Sequence, residues 1–136
     1  MARLGRAILA IAAGAAVWAV LWIGGTKAAQ TAFPTVLAEG QPVTSTAALL
    51  GLILYSLPLS VLAGYVTASV ARANPVPIVW GLAVLQLILG IIAEATAWNM
   101  APVWYHVVFL ALVIPATLLG GRVGAQRHTS RAIARA

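Results

Sequence analysis

Four apolar runs dominate this chain and decide what it can fold into. They extend from about Gly5 to Gly24, Thr46 to Ala71, Val76 to Ala97 and Pro102 to Gly121. A helix needs about 20 apolar residues to cross the hydrocarbon core of a bilayer, and each run meets or nearly meets that length. Membrane β-strands would alternate apolar with polar residues, which these runs do not. Only 7% of the 136 residues are charged and 62% are hydrophobic, against about 25% charged in a typical soluble domain. Too few charges remain to cover a water-facing surface. The expected fold is all-α, an integral membrane four-helix bundle comprising residues 1–121, followed by a basic tail at 122–136.

Arginine placement gives the orientation. Arg3 and Arg6 precede the first run, Arg72 separates the second from the third, and Arg122, Arg127, Arg131 and Arg135 follow the fourth. The other two connections hold only Lys27. Short loops rich in Arg and Lys stay in the cytoplasm, so both termini are expected there. The net charge of +6 sits beside apolar runs, which points to anionic lipid headgroups as partner and away from nucleic acid. Arg127, Arg131 and Arg135 recur at a spacing of four, as a headgroup-facing stripe would if the tail were helical; a disordered tail that only sets topology fits equally.

Arg3 and Arg6 before an apolar run also resemble the start of a signal peptide. The apolar part, Ala7 to Ile23, exceeds the usual core of about 7–15 residues, so the segment reads as a retained span. Ala12, Ala13, Gly14, Ala15 and Ala16 allow close approach of another backbone, and Trp18 and Trp22 are expected at the headgroup boundary. Lys27 to Phe33 can prolong this helix until Pro34, which disfavours helical geometry in the residue before it. Glu39 reads as a solvated loop charge, Gly40-Gln41-Pro42 as a turn, and Thr44 or Ser45 as a helix cap.

The second helix carries Ser56, Ser60, Gly64 and Ala68 at a spacing of four, a ridge suited to close helix packing in lipid. Pro58 in its middle leaves the Leu54 carbonyl without its helical partner. The third helix contains Gln86, whose amide needs partners at mid-depth; Ser56, Ser60 and the Leu54 carbonyl are the candidates. Gln86, Gly90, Glu94 and Trp98 share one helical row, so that row is expected to face protein. Gly24-Gly25 and Gly120-Gly121 read as helix ends, the latter as a C-terminal cap.

The candidate polar site lies around the short connection between the last two helices. Glu94 and His106 are each six residues from Met100, so they are expected at similar depth, about one turn inside the boundary marked by Trp98 and Trp104. Tyr105 adjoins them. Ionisable groups within a span are functional candidates by default. The pair could relay protons or bind a quinone carbonyl or a cationic substrate; as a clasp it could instead fix the hairpin. Two ligands without a third carboxylate or histidine make a poor metal site. No nucleophile arrangement and no phosphate-binding glycine loop is present, so neither enzymatic activity nor a cofactor is expected.

Several segments also resemble a loose family of uncharacterised small bacterial four-span membrane proteins. They are Ala63-Gly64-Tyr65-Val66-Thr67-Ala68, Ala95-Thr96-Ala97-Trp98-Asn99, Pro102-Val103-Trp104-Tyr105 and Leu119-Gly120-Gly121-Arg122, together with Phe33-Pro34 and Gly40-Gln41-Pro42. The chain departs from that pattern in Ala63, where a second glycine is usual, and in Lys27, where an acidic residue is. The resemblance implies a multi-pass protein of a bacterial cytoplasmic (inner) membrane and brings no activity with it. The leading expectation is a non-catalytic accessory or scaffold protein acting through helix–helix association, with itself or with other membrane proteins. A small oligomeric transporter or channel using Glu94 and His106 is the alternative, and a quinone-binding subunit a weaker one.

Overall fold

The computed structural model describes residues 2–134. Its described residues form four long helices, α1 (Ala2–Ala32), α2 (Thr46–Ala71), α3 (Pro75–Thr96) and α4 (Val103–Ala134), with a single 3-10 turn at Trp98–Met100. All four are long and apolar enough to cross a membrane, and the fold is an all-α bundle. Its outside is apolar: Val20 is 69% exposed and Leu54 65%. Such an exterior is compatible only with a lipid solvent.

Helix boundaries follow local chemistry. The Ser45 hydroxyl accepts the backbone N–H of Ala48 and caps α2. Asn74 turns the chain into α3 in the left-handed region, with φ 51°, a conformation asparagine tolerates better than most residues. Pro75 then starts α3, where a missing N–H costs nothing. α1 continues straight through Gly24 and Gly25 to Ala32, and Pro34 follows. At 31 residues, it is about 46 Å long, well beyond a hydrocarbon core of about 30 Å.

Gly120-Gly121 is a correction to the sequence reading. The pair does not end a helix: α4 passes through it without a break and reaches Ala134. The basic segment therefore begins as a continuation of the helix, and residue 121 is no structural boundary. Each glycine lies hard against a neighbouring helix, Gly120 against α2 backbone and Gly121 against the Val79 side chain of α3. A side chain at Gly120 would collide with the Val61 carbonyl, and one at Gly64 with the Thr117 carbonyl.

These contacts make α2–α4 the principal interface, and α2 also packs on α1 and α3. Its two ends are built differently. Toward the basic end, Gly64, Ala68, Gly120 and Gly124 bring the two backbones together. Toward the opposite end, Leu49 and Ile53 of α2 meet Tyr105, Phe109 and Val113 of α4 in a core of large side chains. The two helices are thus wedged apart where the Glu–His pair sits and pinched where the arginines lie.

Trp18 and Trp22 are packed together, half-buried, against α4. They stack on each other at 5.6 Å, and both lean on Phe109, Trp22 at 5.2 Å. The Trp18 indole N–H donates to Ser60 at 3.0 Å. The wedge between α2 and α4 leaves room for flat rings, and the Ser60 hydroxyl satisfies the one polar atom of Trp18, which makes an inward position favourable. Glu39 is a solvated loop charge, its side chain 74% exposed, and it pairs with Lys27. The first long loop is further tied to the far turn by the Val43 N–H, which donates to the Met100 carbonyl at 2.8 Å.

Candidate functional site

The α3–α4 turn is short because Ala97 to Pro102 is mostly one 3-10 turn. The two helices therefore run back antiparallel with little freedom, and residues equidistant from the turn meet. Glu94 and His106 do so: the Glu94 carboxylate contacts His106 Nδ1 directly. The imidazole is buried, 2% exposed at its side chain, while that of Glu94 is 13% exposed.

The other ring nitrogen sets the tautomer. His106 Nε2 lies 3.2 Å from the Trp98 carbonyl oxygen and 3.1 Å from that of Ala101. Both are acceptors only, so Nε2 carries a hydrogen and donates it to them. These carbonyls belong to the 3-10 turn and to Ala101, the residue that follows it. His106 thereby pins the connecting turn as it contacts Glu94. One further proton lies between Nδ1 and the carboxylate, and with it the pair is net neutral whichever partner holds it. Neutrality lowers the desolvation cost that a lone charge would carry at this depth.

Aromatic rings close the remaining sides. Trp98 stacks on the imidazole at 4.7 Å with 13° between planes, and Tyr105 meets it edge-on at 5.7 Å. Tyr105 in turn stacks on Phe109 at 5.9 Å. Trp104 stands outside this cluster, exposed and edge-on to Tyr105. His106 has no unoccupied ring nitrogen left for a ligand. Among the described residues no group of three histidine, aspartate or glutamate side chains could hold a metal.

Gln86 does not join the cluster. It lies eight residues before Glu94, about 12 Å along α3, and its Oε1 accepts the Thr117 hydroxyl at 2.7 Å. The partners expected from depth are engaged elsewhere: Ser56 donates to Ile53 of its own helix and Ser60 accepts from Trp18. Gln86 Nε2 is buried with no hydrogen-bond partner.

The small ridge of α2 is buried throughout, with Ser56, Ser60 and Ala68 at 1% exposure or less. Gly64 faces α4, and Gly90 of α3 admits the Leu110 side chain. Sequence reasoning missed the answering surface on α4. Thr117 and Gly121, and Gly120 and Gly124, are small pairs at a spacing of four, a pattern that would have identified them had the paired glycines not been read as a cap.

Of the arginines proposed for headgroups, Arg122 is exposed beside Trp80 and Gln126, and Arg127 lies 5.6 Å from the Tyr65 ring centroid. Arg135 lies outside the described residues, and so does the side chain of Arg131. Comparison with protein-family models, curated proteins and solved structures gives no match, so function has to be argued from this geometry alone.

Proposed function

We propose that this chain is a non-catalytic membrane protein of the bacterial inner membrane, with both termini cytoplasmic, and that it acts by packing against another transmembrane helix, from a second copy or from a partner protein. The observation that carries this reading is an open apolar groove of about 560 Å³ between α1 and α2, near the end that holds the long loop. Gly25 and Ala29 of α1 and Ala47, Ala48 and Gly51 of α2 form its small-residue walls, and larger apolar side chains of Phe33, Leu37 and Leu52 complete the lining with Tyr55. Small residues on a lipid-facing surface let a further helix approach closely, and such packing is what drives association in lipid. The Glu94–His106 pair supports the same reading, because its ring nitrogens are consumed within the hairpin.

Gly51 offers a clean test, since a side chain there meets nothing within 4 Å. A Gly51→Leu protein keeps the bundle but fills the groove. The chain has no cysteine, so a single cysteine at Ala47 reports proximity to a neighbouring helix by cross-linking in native membranes. Association is expected in the parent and is expected to be lost in the Gly51→Leu form. Cross-linking unchanged by the leucine contradicts the proposal. Proton-coupled flux in proteoliposomes that disappears with Glu94→Gln would favour a transporter instead.

A further inference from the structure

A second groove, further along α2 and beside α4, has a different character. It encloses about 510 Å³ and is lined by Pro58, Val61, Leu62 and Tyr65 of α2 and by Val123 and Arg127 of α4. From Pro58 to Tyr65 it extends about 10 Å along the helix, from the middle of the span to the basic end. Its walls are apolar up to the mouth, where the Arg127 guanidinium is held 5.6 Å over the Tyr65 ring.

That guanidinium has no counter-charge within the protein's own side chains. The chain has two acidic residues, Glu39 and Glu94. Both lie at the other end of the bundle, where they pair with Lys27 and His106. Arg3, Arg6, Arg72, Arg122 and Arg127 therefore depend on an external anion for charge balance. Arg127 alone among them combines a position fixed by an aromatic face with an apolar groove leading from it into the span.

We infer that this groove is a binding site for one anionic phospholipid, with its phosphate on Arg127 and an acyl chain lying along Leu62 and Val61 toward Pro58. A phospholipid is the ligand that presents an anion and a hydrocarbon chain in this order and at this depth. A free phosphate would use the guanidinium and leave the groove unexplained. The site lies beside α4 toward the basic end, shares no lining residue with the α1–α2 groove, and does not rest on the association reading.

Native mass spectrometry of the detergent-solubilised protein, titrated with phosphatidylglycerol or with phosphatidylcholine of the same acyl chains, tests the inference. One tightly held phosphatidylglycerol is expected, bound in preference to phosphatidylcholine. A cation near the membrane surface contributes roughly fivefold in affinity, so Arg127→Gln should weaken phosphatidylglycerol by about that factor and remove the preference. Leu62→Trp, which fills the groove from its exposed face, should weaken both lipids while circular dichroism stays unchanged. Arg122→Gln should leave binding intact. The inference is overturned if Arg122→Gln acts like Arg127→Gln, if Leu62→Trp has no effect, or if glycerol phosphate displaces the lipid at equal concentration.

Discussion

Gly64 of α2 lies so close to the Thr117 carbonyl of α4 that even one methyl group at residue 64 would collide with it. The obstacle is backbone and cannot rotate away, so the helices themselves would have to separate. Overpacking of this kind costs about 1–3 kcal/mol. Gly64→Ala is expected to lower unfolding stability by that amount and Gly120→Ala by a similar one, since Gly120 faces the Val61 carbonyl in the same way. Gly24→Ala, where nothing lies within 4 Å, should lose nothing. Unfolding in mixed detergent micelles, followed by circular dichroism, distinguishes the three.

The Gln86–Thr117 hydrogen bond predicts an asymmetry. Removing the hydroxyl with Thr117→Val leaves both ends of a buried amide unpartnered, because Gln86 Nε2 already lacks a partner. A buried polar group left unsatisfied costs about 1–3 kcal/mol, whereas replacing both partners by apolar groups is close to neutral. The double variant Gln86→Leu/Thr117→Val should therefore be more stable than Thr117→Val alone in the same unfolding measurement. A double variant less stable than the single one would show that the pair, and not the amide's desolvation, dominates.

The four helices were legible because lipid imposes a length and an apolar composition on any segment that crosses it, and Pro34 and Pro75 mark boundaries by chemistry that needs no tertiary context. Glu94 and His106 were legible for a related reason: a short turn fixes register, so counting from Met100 gives depth. What remained hidden depended on tertiary partners. Gly120-Gly121 carries the same local signal whether it caps a helix or admits a neighbour's backbone, and only the Val61 carbonyl decides. The hydroxyl that accepts the Trp18 indole N–H is 42 residues away. Gln86 found Thr117 on α4, whereas every partner expected from depth lay on α2.

The Glu94–His106 contact is the feature on which the functional reading turns, because a clasp and a proton-handling site place the same two residues together for different ends. A double-mutant cycle separates them most directly. Unfolding free energies of the parent, Glu94→Gln, His106→Ala and the double variant give the coupling between the two side chains. A clasp that also pins the α3–α4 turn is expected to show a coupling of about 1 kcal/mol or more, near the upper range for polar contacts within a bilayer. Additive effects, with both single variants as stable as the parent, would contradict the account and leave Glu94 and His106 as residues kept for chemistry.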